Sequence, residues 1–139
     1  MSILESQQEI VENFEFFDDW EDKYAYLISL GKSLLVYPED KKDEEHLIKG
    51  CQSLVWLDLK LIDGKLIILG LSDAAIVSGL IALLITIYQG CSPAEINATK
   101  LTFLNDIGLE SHLSPTRNNG LHAMLKGIQA FAKKHAETI

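Results

Sequence analysis

The sequence contains few cysteines, and they are not spaced as disulfide scaffolds or short-range metal sites require. Only Cys51 and Cys91 occur among the 139 residues, and they do not form a C-x-x-C pair. A small secreted domain that relies on disulfides carries a dense, even-numbered cysteine pattern. The sequence therefore indicates a protein of a reducing compartment.

Positive charge and long apolar runs are also scarce. The 12 Lys and Arg residues face 20 Asp and Glu, which gives a formal net charge of -8. Binding to phosphates needs clustered Lys and Arg, so we expect neither nucleic acid nor an anionic membrane surface as the main partner. The longest apolar stretch, Leu80 to Tyr88, is interrupted by Thr86 and is shorter than the roughly 20 residues that span a bilayer. The first residues lack the basic and apolar regions of a secretory signal. We expect a soluble, cytoplasmic protein that is a monomer or weak dimer.

The hydrophobic fraction of 47% is typical of a globular chain with a sizeable core, and the length fits one domain over residues 1–139. Helical periodicity precedes two alternating segments joined by Asp63-Gly64, a typical hairpin turn. Further helical patterns follow. The predicted elements are helices over 7–17 and 20–31, strands over 53–62 and 65–71, and helices from 74 to 89, from 93, over 102–107 and from 115 to about 136. A further short strand is predicted over His46–Ile48. Gly31 is a predicted helix stop, and the predicted helix caps are Asp18 or Asp19, Ser92 and Ser114. Asp18–Glu21 and Ser92–Glu95 have the spacing of capping boxes. The order of these elements predicts an α+β fold in two layers, with N- and C-terminal helices packed on a small antiparallel sheet.

A thiol stands at the entrance to the first strand, in Lys49-Gly50-Cys51-Gln52. Gly50 permits backbone angles that other residues resist, so a sharp turn can hold Cys51 at the tip of a loop. A thiol in this position is a candidate nucleophile, provided that it is accessible and ionises. The alternative is a small core residue, which is the usual role of a free cysteine.

Three stretches resemble the SufE family of sulfur acceptors, which includes the CsdE-type proteins. They are Leu47 to Leu57, which contains Cys51; Ser72 to Leu80; and His112 to Leu121. The resemblance runs from about Asn13 to the C-terminus, with the stretches in the order found in the family. It implies a fold similar to that of the IscU-like scaffold proteins of iron–sulfur assembly.

The resemblance also implies a function. Cys51 would accept sulfur from the persulfide of a cysteine desulfurase of the SufS or CsdA type and would stimulate that enzyme. The sulfur would then pass to an iron–sulfur scaffold complex of the SufBCD type or to another acceptor. The chain would be a carrier and activator, not an enzyme in its own right. Pyridoxal phosphate belongs to the desulfurase, so no cofactor or metal is expected here.

The residues expected around the thiol of Cys51 are Gly50, Gln52, Ser72, Asp73, His112 and Arg117. Each of those beyond the loop also has a structural interpretation. Ser72 or Asp73 is well placed to cap the helix that begins near Ala74. His112 is of a type that commonly makes structural hydrogen bonds. Arg117 falls in a first helical turn, where the helix dipole disfavours a cation and a carboxylate or an interface usually engages it.

Two other functions remain open from the residues alone. A zinc- or cluster-binding scaffold could use Cys51, Asp73, His112 and Cys91, because zinc accepts sulfur, oxygen and nitrogen ligands. No closely spaced pair of ligands favours it. A cysteine hydrolase built on Cys51 and His112 lacks any sign of an oxyanion hole. Cys91 is otherwise expected to be a buried residue near a helix end.

Overall fold

The computed structural model describes residues 2–49 and 54–136, so Gly50, Cys51 and Gln52 lie outside the described residues. Within those ranges the chain forms six α-helices and a two-stranded antiparallel sheet, which confirms the predicted α+β class. Short 3-10 turns occupy Glu39–Lys41 and Glu110–His112. The elements are α1 Ile3–Glu15, α2 Trp20–Gly31, β1 Val55–Ile62, β2 Lys65–Ser72, α3 Ala75–Tyr88, α4 Pro93–Ala98, α5 Phe103–Ile107 and α6 Pro115–Ala136.

The β1–β2 hairpin follows the prediction closely. Its register places Val55 opposite Ser72 and Ile62 opposite Lys65. Asp63 and Gly64 both have positive φ, 53° and 77°. Positive φ at both central residues is the requirement of a type I′ turn, whose twist matches that of the strands. The turn therefore fixes one end of the hairpin, and the Cys51 side of β1 is the other end.

The segment before the thiol pairs with the free edge of β1. Ile48 N donates to Val55 O at 2.8 Å, and Leu57 N donates to His46 O at 3.0 Å. The pairing is a single antiparallel bridge between Leu47 and Trp56. The short strand predicted over His46–Ile48 is therefore present in its minimal form.

Helix α3 is the centre of the core, as its continuous apolar surface predicts. It packs on α2 on one side and on β2 on another. The α2–α3 crossing depends on two glycines, because a Cβ on Gly31 would lie 2.7 Å from Gly79 N, and a Cβ on Gly79 would lie 2.8 Å from Leu27 Cγ. Gly31, predicted as a helix stop, is indeed the last residue of α2, and the structure gives it this second role.

Helix starts differ from prediction where a cap was misassigned. Helix α1 begins at Ile3 because Ser2 and Glu5 form a capping box, four residues before the predicted start. Asp19, one of the two predicted caps, does cap α2 by accepting from Asp22 N, but the suggested Asp18–Glu21 box is not formed. Helix α3 begins at Ala75, and its N-cap residue Ala74 makes no side-chain cap. The expectation that Ser72 or Asp73 caps this helix was therefore wrong.

Later starts agree with the sequence patterns. Ser92 and Glu95 form the expected capping box with Pro93 at the first helical position of α4. Ser114 Oγ accepts from Arg117 N at 3.3 Å, which is the predicted cap of α6. Over the described ranges, none of the helices combines the length and apolarity that crossing a membrane requires.

Candidate functional site

Asp73 holds the chain three positions after Cys51. Its Oδ1 accepts a hydrogen bond from Leu54 N at 3.1 Å, and its own backbone N donates to Leu54 O at 3.3 Å. Both residues are largely exposed, and 19 positions separate them in sequence. The antiparallel hairpin brings them together, because β2 ends where β1 begins. We call this reciprocal pair the Asp73–Leu54 clamp.

The carboxylate of Asp73 is available for this clamp because the hydroxyls of Ser72 and Ser78 make the hydrogen bonds at the turn between β2 and α3. Ser72 Oγ accepts from Ala74 N at 3.2 Å, and Ser78 Oγ donates to Ser72 O at 3.3 Å. These bonds fix the turn from strand to helix. Ser72 thus supports the backbone next to Asp73, and its hydroxyl is engaged locally.

His46 makes side-chain contacts that hold the segment preceding Cys51. Its Nδ1 lies 2.7 Å from Asp43 Oδ1 and its Nε2 lies 3.6 Å from Asp58 Oδ1. The side-chain hydrogen bond from His46 lowers the pKa of the Asp43 carboxyl. Burial raises the pKa of the neighbouring Tyr37 to about 12, and the charges of Asp58, Asp43 and Asp40 add to the effect.

The burial of Asp58 could not be predicted from the alternation of residues along β1. The alternation assigns it to the β1 face opposite Leu57, yet only 6% of its surface is exposed. The strand carrying His46 pairs with that edge of β1, and the His46 ring approaches the carboxylate. The sequence offered one indication of this pair: Asp58 is a charged residue within an apolar strand, and His46 lies 12 positions before it.

His112 is held by contacts of a structural kind. Its ring stacks on Trp20 with centroids 3.9 Å apart and planes at 13°. Its Nδ1 lies 2.9 Å from Gly108 O, and its backbone carbonyl accepts from the hydroxyl of Tyr24. Within the described part of the chain, no hydrogen bond or ring contact joins it to Asp73 or Leu54. A role for His112 beside the thiol therefore stays a prediction.

Arg117 projects from the first turn of α6 and is exposed. Its guanidinium forms no ion pair with any residue in the ranges 2–49 and 54–136. The next residue in the motif, Asn118, makes the hydrogen bonds that hold this turn: its Nδ2 donates to Glu110 O at 2.8 Å and to Leu113 O at 3.4 Å. Among the described residues the guanidinium therefore has no ionic partner, and its role beside the thiol or at a partner stays a prediction.

Cys91 is buried, as expected from the sequence, with 4% of its surface exposed. Its Sγ contacts Ile87 O at 3.5 Å, and burial, with a smaller effect of Glu95, raises the pKa of the thiol. Cys91 O accepts from Leu66 N near the hairpin turn, whereas Asp73 follows the opposite end of β2. Seven strand positions separate the two ends, or roughly 20 Å. A zinc site shared by Cys91 and Asp73 is incompatible with this arrangement.

A cluster of side chains with the spacing of metal ligands lies in the segment before Cys51, away from Cys91 and Asp73 in sequence. Over the ranges that the structure describes, Asp43, Glu45 and His46 bring ligand atoms within 4.8 Å of one another. The cluster includes none of the zinc ligands suggested by the sequence, and exposed acidic groups of this kind are common without an ion. The geometry therefore gives no support to the scaffold alternative.

Comparison with known proteins agrees with the sequence motifs. A solved structure described as the solution structure of a hypothetical protein from Thermus thermophilus matches with a TM-score of 0.78 and 22% identity. The match covers 96% of this chain and 97% of that chain. Such low identity shows a shared fold only. The model of the SufE family, described as an Fe-S metabolism associated domain, matches residues 8–132, a span that includes Cys51, Asp73 and Arg117. The chain therefore belongs to the SufE family, as its three motifs predicted.

Proposed function

We propose that this chain is a sulfur carrier that accepts a persulfide sulfur on Cys51 from a pyridoxal-phosphate-dependent cysteine desulfurase. The observation that carries the proposal is membership of the SufE family over residues 8–132, with the Cys51 motif inside that span. The burial and raised pKa of Cys91 support assigning the chemistry to Cys51. A buried thiol with a raised pKa is a poor nucleophile.

The transfer is a thiol–disulfide type of exchange. The Cys51 thiolate attacks the outer sulfur of the donor persulfide, the donor S–S bond breaks, and its electron pair leaves with the donor cysteine thiolate. Cys51 then carries the sulfur as a persulfide. A second thiolate attacks that outer sulfur, and Cys51 departs as a thiolate. No external oxidant or reductant is consumed, and the desulfurase recovers its free thiol, which accounts for stimulation of its turnover.

The fold supports this role by holding the chain on both sides of the thiol segment. The Asp73–Leu54 clamp fixes the residue after it, and the pairing of Ile48 with Val55 fixes the strand before it. Reactive groups carried by short segments on rigid elements are positioned more reproducibly than groups on long loops. The chain itself needs no cofactor in this scheme, since pyridoxal phosphate belongs to the desulfurase of the SufS or CsdA type. The sulfur would go to an iron–sulfur scaffold complex of the SufBCD type or another acceptor, in the cytoplasm.

The test is intact-protein mass spectrometry followed by peptide mapping. The chain is mixed with an active desulfurase, pyridoxal phosphate and cysteine under limited reductant. We expect the mass of one sulfur atom to be gained on the Cys51 peptide, by the wild type and by the matched control Cys91→Ala, but not by Cys51→Ser. Full stimulation of the desulfurase by Cys51→Ser would contradict the proposal, as would sulfur mapped to Cys91.

A further inference from the structure

Helix α6 has a charge composition unlike that of the rest of the chain. Its 22 residues include Arg117, Lys126, Lys133 and Lys134 but no Asp or Glu. All 20 acidic residues of this chain therefore lie outside α6. A helix whose Lys and Arg residues are not balanced by any Asp or Glu stands out in a protein with a net charge of -8.

Two of the four basic side chains of α6, Lys126 and Lys133, line a pair of adjoining surface clefts. One cleft lies between Lys49 and α6, and a second lies between the α4 region and α6. The two clefts share Gln129, and neither is lined by an acidic residue. The polar residues that α6 contributes to the clefts are spaced alternately three and four apart, which places them on one helical face. They are Asn119, His122, Lys126, Gln129 and Lys133. We call this surface, together with Lys49, the α6 groove; at 1.5 Å per residue it is about 20 Å long.

The lysines of the groove have no ionic partners within residues 2–49 and 54–136. Lys42 pairs with Glu39, and His122 pairs with Glu110 at 2.9 Å on the rim, but Lys49, Lys126 and Lys133 pair with nothing described. The C-terminal helix dipole favours Lys133. The dipole does not stabilise the charge of Lys126 in the middle of α6, or that of Lys49, which follows the segment paired with β1. A carboxylate three or four residues away stabilises an exposed helical lysine, and residues 115–136 contain none. Glu137, four positions after Lys133, lies outside the described residues.

The groove includes Lys49, the last described residue before the thiol segment. Lys49 precedes Cys51 by only two positions in the sequence. Helix α6 passes close to the segment that carries Lys49, because a Cβ built on Gly127 would lie 3.8 Å from Ile48 Cδ1. A protein that brings its own cysteine to Cys51 therefore comes close to Lys49, at one end of the groove.

We propose that the α6 groove binds an acidic segment of the desulfurase that donates sulfur to Cys51. The inference rests on the proposed function and adds the chemistry of the docking surface. The chain as a whole repels acidic proteins, so a local basic groove orients such a partner with its thiol toward Cys51. Nucleic acid fits less well, because the groove offers few cations and the surrounding acidic surface opposes an extended phosphate chain.

Charge reversal at Lys126 tests the inference. Binding of the desulfurase is measured in a Cys51→Ser background, so that docking is scored independently of sulfur transfer. Lys126→Glu should raise the dissociation constant at least about fivefold in roughly 0.05 M salt, and Lys49→Glu/Lys126→Glu should raise it further. The matched control is Lys65→Glu, an exposed lysine at the turn end of β2, which should change binding by less than about twofold. The difference should shrink in about 0.5 M salt, where charges are screened.

Zero-length carbodiimide cross-linking provides a second readout. The reagent joins a lysine amine to a carboxylate in direct contact, and peptide mapping identifies both ends. Links from Lys126 or Lys49 to acidic residues of the desulfurase support the inference. Equal binding by Lys126→Glu and Lys65→Glu, or cross-links that avoid the groove, would overturn it. So would a short oligonucleotide that binds the parent but not Lys126→Glu while desulfurase binding is unchanged. Failure of the proposed function is recognised separately, as the absence of sulfur on wild-type Cys51.

Discussion

Replacing Asp73 with alanine removes the carboxylate oxygen that accepts the Leu54 amide, while asparagine keeps an oxygen in that position. The reciprocal backbone bond from Asp73 N to Leu54 O survives in both variants. The pair of substitutions therefore separates the hydrogen-bond acceptor from the negative charge. Asp106→Ala, an exposed aspartate on α5, is the control for losing a surface carboxylate.

The magnitude follows from the geometry and exposure of the clamp. The Oδ1 to Leu54 N distance is 3.1 Å, and about half of Leu54 is exposed. Such a hydrogen bond contributes about 1 kcal/mol net, because water competes for both groups. We therefore expect Asp73→Ala to lower the free energy of unfolding by about 1 kcal/mol or less. If Leu54 opens locally, the same energy accelerates exchange of its amide hydrogen roughly fivefold.

Three assays follow from this reasoning: urea unfolding, hydrogen exchange at Leu54, and the rate of sulfur loading on Cys51. Asp73→Ala should exchange faster at Leu54 and load sulfur about two- to fivefold more slowly, since the thiol segment is held in position less of the time. Asp73→Asn should resemble the wild type. Unchanged exchange in Asp73→Ala would refute the clamp. A loading defect in Asp73→Asn equal to that in Asp73→Ala would show that the charge matters and the hydrogen bond does not.

Two further predictions concern stability. A Cβ on Gly79 would collide with the Leu27 backbone at the α2–α3 crossing, so Gly79→Ala should lower the free energy of unfolding by about 1–3 kcal/mol in urea melts; unchanged stability would contradict the tight crossing. Burial raises the pKa of both Tyr37 and Tyr88 to about 12. The unfolded tyrosines ionise first, near pH 10, so stability should fall as pH rises from about 10 to 12, by at most about 2.7 kcal/mol per tyrosine. Tyr37→Phe should show a smaller alkaline loss in pH-dependent melts, and an identical loss would count against the assignment to Tyr37.

The sequence alone determined the features that depend on neighbouring residues. The Asp63-Gly64 turn, the Ser92–Glu95 capping box and the buried helix α3 each follow from a few adjacent positions. Turn conformation and capping are local, and an apolar surface all round a helix requires burial whatever surrounds it. The motif around Cys51 likewise identified the SufE family. The roles of Gly50, Cys51 and Gln52 stay predictions, because these residues lie outside the described ranges.

Tertiary structure decided which partner each polar side chain found. The sequence favoured Asp73 as a cap of α3, with a place beside Cys51 as the alternative. The hairpin register instead brought Leu54, 19 positions away, to its carboxylate. Asp58 became buried because a separate strand covers its edge, and His112 stacked on Trp20 from a distant helix. A carboxylate or an imidazole can satisfy many partners, so its own neighbours in sequence do not select one. The packing of β1, β2 and the surrounding helices makes that selection, because it fixes which donors come within hydrogen-bond distance.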